Sequence, residues 1–527
     1  MSATHTSGSE GLLLVGFVVF MVLCTFLCVL TGTDQTDTAV FDTGDRPLRP
    51  WQSGVAIGGE CMSAVTLLAA TGLVALTGND GMALVLSLVV GLALMALLVA
   101  EPLRRAGGRT VSDALARRMP GRSVRVAWGV VTLAVCVPFL VLQLAAVGTM
   151  TSFLLGLPGS GPKVACIVVI GVVMVSLAVT GGLRGTAVVQ IVKVGMLLVT
   201  VTLVAFTVLN RFGWEPGQLL SAAASGSGLA GHYLGPSDVS GGVAGFFDRM
   251  GQPVVVAVAI AGLPQVAMRV LSVRGVRATR SAMRWAFVSF LVICALLVVI
   301  GLGAAALVGA KALQATDPTG SSSILVLASA LDSDGVLLSV VSWAVFLAAL
   351  ATVADVTLAA ATSAGHDLYT HVRRQGDVQR RMETPAARWA AGGIGILTVS
   401  LAALAADWNL LVLSTVALTL AASALAPVTV YGLLWPRFTK QGALWCLYGA
   451  GALTLALITL SPRVSGTPGS VFPDVDFRWT PLLNPGIVTV PAGFLLGWLG
   501  SVLDRDDSAP ARYEELAHAE LVGGRSE

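Results

Sequence analysis

Apolar runs long enough to cross a bilayer follow one another along almost the whole of this chain. A helix needs about 17 to 25 mostly apolar residues for that crossing, and about thirteen such runs can be counted. They are Leu12 to Leu30, Trp51 to Leu76, Met82 to Ala100, Val124 to Leu155, Val164 to Val179, Ala187 to Leu209, Pro253 to Val270, Trp285 to Val308, Val336 to Ala364, Trp389 to Ala405, Leu410 to Leu434, Ala443 to Leu460 and Pro485 to Leu503. Within lipid every backbone N–H and C=O must be paired without water, so runs of this length are helices. With 55% hydrophobic and 12% charged residues in 527, the chain carries more apolar surface than a soluble domain can bury. The expected class is an all-α polytopic membrane protein in contact with lipid, in the plasma membrane.

Orientation follows from arginine, which concentrates in cytoplasmic loops. Arg104, Arg105, Arg109, Arg117, Arg118 and Arg122 follow the third run, Arg269, Arg274, Arg277, Arg280 and Arg284 the seventh, and Arg373, Arg374, Arg380 and Arg381 the ninth. All three loops follow odd-numbered runs, which puts the amino terminus outside and the tail 504–527 in the cytoplasm. The first run has no positive residue before it and no small-residue cleavage site after it, so it reads as a retained helix rather than a signal peptide. Residues 1–503 are expected to form one transmembrane domain. The longest outer loop is Arg211 to Gln252, rich in Gly and Ser and poor in charge.

Several function classes have no support. The net charge of +3 is explained by the cytoplasmic loops, and nothing points to nucleic acid. The seven cysteines, including Cys24 and Cys28 one turn apart, all fall within apolar runs, which argues against a disulfide framework. No His or acid joins Cys24 and Cys28 to make a metal site, and no histidine lies at mid-membrane. The chain shows no Walker loop, no phosphorylation domain and no pairing of nucleophile with base, so neither an ATP-driven pump nor an enzyme is expected.

Two runs are interrupted by glycine at corresponding places: Val55-Ala56-Ile57-Gly58-Gly59-Glu60, and later Val258-Ala259-Ile260-Ala261-Gly262-Leu263-Pro264. A matched pair of broken membrane helices is the best pointer in a sequence to the binding site of a secondary transporter. The plainer alternative is that Gly58, Gly59 and Gly262 let helices pack closely. Pro264, which lacks an N–H, favours a break in the second case.

Several segments resemble the sodium/solute symporter family, in its branch of cation/acetate and monocarboxylate symporters. They are Pro50-Trp51-Gln52-Ser53-Gly54 running into Gly59-Glu60-Cys61-Met62-Ser63-Ala64, Gly181-Gly182-Leu183-Arg184 with Val189-Gln190-Ile191-Val192-Lys193, and Gly262-Leu263-Pro264-Gln265-Val266-Ala267-Met268-Arg269. Ala361-Thr362-Ser363-Ala364-Gly365-His366-Asp367-Leu368-Tyr369 and Leu434-Trp435-Pro436-Arg437 complete the set. The resemblance implies a leucine-transporter-like fold of two inverted five-helix repeats, about 51–209 and 253–434, each opening on a broken helix.

It also implies a sodium site. Carbonyls of Gly59, Met62 and Ala348 would supply ligands, together with hydroxyls at positions 351 and 352; here Ala351 has none and Thr352 keeps one. The coupling ion implied is Na+, with H+ as the alternative. Gln190 stands where some members carry an acid for a further sodium, and a neutral amide cannot balance a second cation. Lys193, one turn on, would repel a cation, or would extend its ammonium to the inner surface. Glu60 and Asp355 are acids inside apolar runs, which usually face a partner or a pathway. Either they take part in coupling, or Glu60 caps freed amides and Asp355 pairs with a neighbouring Arg or Lys or is held protonated.

The fold places Ser63, Thr66, Gln143, Gly262 and Gln265 around the substrate cavity, a neutral hydrogen-bonding set suited to a small anion or zwitterion. Gln143 and Gln265 bridge helices in the alternative reading. No intramembrane arginine is expected to clamp a carboxylate. The expected function is cation-coupled import of a short-chain monocarboxylate such as acetate, propionate or pyruvate, with no cofactor and the single chain as the functional unit. The alternatives are an amino acid or nucleobase-like substrate, or a membrane sensor on the same fold, which the short tail disfavours.

Overall fold

The structure, a computed structural model, describes residues 48–515 apart from 109, 156, 158, 236–241, 318, 333, 371–382, 407–409, 468–469 and 505. The expected run Leu12 to Leu30, with Cys24 and Cys28, lies outside the described residues, as do Arg109, the arginines 373–381 and the end of the tail.

Among the described residues, nine helices are long and apolar enough to cross a membrane, or ten if one bent pair counts as a single span. In chain order the elements are α1 (Pro50–Glu60), α2 (Ala64–Thr77), α3 (Asn79–Ala106), α4 (Val111–Arg118), α5 (Arg122–Leu154) and α6 (Ser160–Arg211). Then come α7 (Pro216–Gly226), α8 (Gly242–Gly262), α9 (Pro264–Ser272), α10 (Val276–Leu307), α11 (Ala310–Thr316), α12 (Ser323–Leu331) and α13 (Val336–Thr362). The chain closes with α14 (Glu383–Leu404), α15 (Leu411–Leu434), α16 (Lys440–Thr459) and α17 (Gly486–Asp504). Each run expected from Trp51 onward is helical, two of them as the shorter apolar helices Ser160–Ser176 and Arg388–Leu404. α6 joins two expected runs and turns at Gly182, whose φ of 56° belongs to the left-handed side of the map that glycine tolerates.

Both glycine-bearing runs are broken. α1 stops at Glu60, Cys61 to Ser63 leave the helix, and α2 resumes at an angle of 61°. Ser63 caps the new start, its hydroxyl accepting from Thr66 N at 3.0 Å. In the second run Leu263 alone is extended, and Pro264 takes the first position of α9, where a missing N–H costs nothing. The glycines themselves remain helical and serve close approach. A Cβ on Gly58 would lie 3.0 Å from Ala286 O of α10, and one on Gly262 would lie 2.3 Å from Ala421 O of α15. Breakage and tight packing, posed above as alternatives, thus coexist one to three residues apart.

The core is built around α13, which is buried along nearly its whole length and is predominantly apolar all round, as suits a helix at the centre of a bundle. It packs most extensively on α6, while α10 covers α1 and α8 lies along α3. α15 carries a π-helical turn at Ala421–Leu425, where its backbone widens beside Gly262. At one end of the bundle, Tyr233 from the loop after α7 is fully buried. Its hydroxyl donates to Val74 O at 2.6 Å and its carbonyl accepts from Asn79 N at 2.9 Å, which fastens the loop over the α2–α3 turn.

Candidate functional site

Charged side chains in an apolar bundle are costly unless paired, so their positions mark the site. Four converge at the break between α1 and α2. Glu60 ends α1, Lys193 comes from α6, Arg269 from α9 and Asp355 from α13; each is at most 3% exposed. Arg269 Nε donates to Glu60 Oε1 at 2.8 Å, while its Nη2 donates to Asp355 Oδ1 and, at 2.6 Å, to Thr186 Oγ1. Gln190 Nε2 donates to the other Asp355 oxygen at 2.5 Å. Two acids and two bases leave the cluster with no formal net charge. It ties both broken helices to α6 and α13.

Arg269 corrects the sequence expectation twice. It is not a loop residue marking topology but a buried one on α9, and an intramembrane arginine does exist. Its donors are already committed to Glu60 and Asp355. Of the alternatives for Asp355, the structure shows the pairing with arginine.

Lys193 departs from expectation as well. Its side chain does not reach the inner surface: Nζ is buried and donates to Gly59 O at 2.7 Å and Met62 O at 3.0 Å. Those are two of the carbonyls that the resemblance assigned to sodium. The third, Ala348 O, accepts from Thr352 Oγ1 at 2.7 Å along the same helix, and Ala351 is buried beside them without an oxygen to offer. Gly59 is glycine for a local reason. A Cβ there would fall 2.8 Å from Gln190 Oε1 and 2.9 Å from Val194 Cγ2, so the bare backbone makes room for these two α6 side chains.

The expected substrate residues divide. Ser63 and Thr66 are engaged with each other at the α2 cap, their hydroxyl oxygens 2.9 Å apart. Gly262 is pressed against the α15 backbone, and Gln265 is buried on α9 just past the break. Gln143 on α5 is fully buried, and neither atom of its carboxamide has a hydrogen-bond partner. It lies three turns along α5 from Thr132, on nearly the same face, since 3.6 residues make a turn. Thr132 lines a small pocket with Trp128 of α5, Pro264 and Met268 of α9, and Ala359 of α13. Gln143 and the pocket thus lie along nearly the same face of α5, about three turns apart.

The floor of the same pocket is a polar clasp that the sequence singled out only as part of a motif. α13 continues as a π-helical turn, Ser363–Thr370. There Asp367 accepts from Ser363 Oγ at 3.0 Å, from Thr110 Oγ1 at 3.1 Å and from Ser112 Oγ. His366 Nε2 lies 3.0 Å from Asp113 Oδ1, which also accepts from Arg125 Nη1 at 2.6 Å. On the far side of α4, Arg118 donates to the carbonyls of Gly432 at 2.8 Å, Pro436 at 2.6 Å and Trp435, all at the end of α15. Its guanidinium also lies 4.7 Å from the ring centre of Tyr513. Burial draws the Arg118 pKa down to about 10, partly offset by Tyr513, so it stays charged at neutral pH. α4 thus bolts the ends of α13, α15 and the tail together.

An Arg118→Ala variant should lose on the order of 1.5–3 kcal/mol, the worth of charged hydrogen bonds at an edge that water re-enters. Melting of the detergent-purified protein checks this. An unchanged midpoint would mean that the carbonyl contacts contribute nothing to stability.

The comparisons with known proteins agree with this architecture. The model of the sodium:solute symporter family matches residues 41–449. An uncharacterized symporter, YwcA, of Bacillus subtilis (strain 168) is 31% identical over 496 residues, which is 94% of this chain and 95% of that protein. A monocarboxylic acid transporter of Corynebacterium glutamicum is 30% identical over 518 residues, 96% of this chain and 94% of that one. Among solved structures, a Na+-coupled sialic acid symporter in its substrate-bound outward-open state matches with a TM-score of 0.71 at 13% identity. That likeness covers 94% of this chain and 98% of the other and is one of fold, the leucine-transporter-like arrangement that the family resemblance implied. By sequence match over most of its length, and by a fold with a helix break at each expected place, the chain belongs to the sodium:solute symporter family.

Proposed function

We propose that this protein is a secondary active, cation-coupled symporter that imports a short-chain monocarboxylate such as acetate, propionate or pyruvate. The observation that carries the substrate class is Gln143. A buried carboxamide without partners costs about 1–3 kcal/mol in desolvation, and in this reading the substrate carboxylate satisfies it. A carboxylate held by amide N–H donors and by the positive end of α9 at the Leu263 break needs no arginine, and the buried arginine is already paired. The name of the Corynebacterium relative points to the same class. In this reading the repeats are about 51–209 and 253–434, with the amino terminus outside and the carboxyl terminus in the cytoplasm. The buried charge cluster couples movement of the broken helices to α6 and α13.

The test is uptake of radiolabelled acetate into proteoliposomes under an imposed cation gradient, for the wild type and Gln143→Leu. Accumulation in the wild type is expected. The leucine variant should bind acetate about tenfold or more weakly, the loss of one hydrogen bond to a charged group. It should also melt higher than the wild type, because the unsatisfied carboxamide is gone. Absence of accumulation under both sodium and proton gradients would discard the monocarboxylate, and a Gln143→Leu variant with unchanged KM would remove Gln143 from the site.

A further inference from the structure

The ammonium of Lys193 sits where a coupling sodium would have to sit. Two of the backbone oxygens implied for such an ion, Gly59 O and Met62 O, accept from Nζ at 2.7 and 3.0 Å. Those carbonyls lie at and just past the end of α1, where the oxygens of a helix terminus carry partial negative charge and attract a cation; Gly59 O keeps one backbone bond, from Met62 N at 3.0 Å, and has a second lone pair for the ammonium. Lys193 supplies that cation covalently. The stem holds it in place: Lys193 has no solvent-exposed surface, and the bare backbone at Gly59 leaves room for the Gln190 and Val194 side chains of α6 beside it. The remainder of the implied shell is weak, since Ala351 has no hydroxyl.

Charge balance leads to the same conclusion. Glu60 and Asp355 are matched by Arg269 and Lys193, all of them buried. A sodium ion added at the α1 carbonyls would displace the ammonium or press against it at contact distance, in a site with little water to screen the repulsion. It would also leave one unbalanced positive charge among apolar helices.

We propose that the Lys193 ammonium is a built-in cation that fills the sodium position at the α1 break, so that this chain neither binds sodium there nor uses sodium to drive transport. The proposal rests on the symporter reading only for its transport arm; the binding arm needs no substrate.

Binding of radioactive sodium to the purified, intact protein is measured by scintillation proximity for the wild type and Lys193→Ala, with N-methylglucamine replacing sodium at constant ionic strength. The wild type is expected to show no saturable sodium binding. Lys193→Ala, which removes the ammonium from both carbonyls and leaves Glu60 and Asp355 one positive charge short, should gain it. In proteoliposomes, wild-type acetate uptake should be unchanged when N-methylglucamine replaces sodium. Saturable sodium binding to the wild type, or uptake that collapses without sodium, overturns the proposal. A folded Lys193→Ala protein that still binds no sodium also overturns it, because the ammonium would then not be what keeps the ion out. Should that variant not fold, the wild-type measurement decides alone. Failure of acetate uptake under every gradient counts against the monocarboxylate reading and leaves the sodium-binding result standing.

Discussion

Replacing Arg269 by alanine is expected to cost about 3–5 kcal/mol of stability, the penalty for removing one partner from a buried ion pair. Arg269 serves two acids at once, Glu60 at 2.8 Å and Asp355, and the side chains of all three are 3% exposed or less. Without the guanidinium, Glu60 and Asp355 share the single positive charge of Lys193. The packing loss from truncating arginine adds to this but is the smaller part. The double variant Arg269→Gln with Asp355→Asn separates the two contributions. It removes one charge of each sign, leaving Glu60 with Lys193, and should recover most of the loss, because neutral replacement of a whole buried pair is often tolerated. Melting of both proteins in the same detergent checks the pair of outcomes. A double variant as unstable as the single one would show that arginine acts here by volume rather than by charge.

Gly262→Ala should be strongly damaging for the addition of a single methyl group. Its Cβ would fall 2.3 Å from Ala421 O and 2.8 Å from Ala426 N. Both are backbone atoms of α15 and cannot rotate away as a side chain would, so the two helices must separate. Overpacking of this kind typically costs on the order of 1–3 kcal/mol, and a purely backbone obstacle puts this case at the upper end. Because the displaced residue adjoins the Leu263 break, transport should fall more than stability does. Gly195→Ala is the control within the same protein. A Cβ there meets nothing within 4 Å, and a glycine-to-alanine change in a helix interior is worth roughly 0.5–1 kcal/mol of added stability. If Gly262→Ala melts and transports like the wild type, the close approach of α8 to α15 is not maintained in the membrane.

What the amino-acid order settles is the class, the spans and the two breaks. Apolar length, glycine with proline, and the burden of unpaired backbone in lipid are local or compositional quantities, and each can be counted along the chain. That is why the runs from Trp51 to Leu503 correspond to helices and why Cys61 to Ser63 and Leu263 interrupt two of them. A trace of the charge cluster was legible too. Four residues of balanced sign, Glu60, Lys193, Arg269 and Asp355, stand within or at the edge of apolar runs, where an unpaired charge is too costly to keep. Counting Arg269 with the loop arginines hid that balance.

Which charge meets which, and what fills the space at the α1 break, was decided only by tertiary structure. Glu60 and Arg269 are 209 positions apart in sequence, and Gln190 and Asp355 are 165 apart. Lys193 could point along its helix toward water or across it toward α1, and no local pattern distinguishes the two. The choice depends on whether a neighbouring helix presents carbonyls with a lone pair to spare within reach of the ammonium. Here the end of α1 does, because its helix stops at Glu60 and the bare backbone at Gly59 leaves room for the α6 side chains.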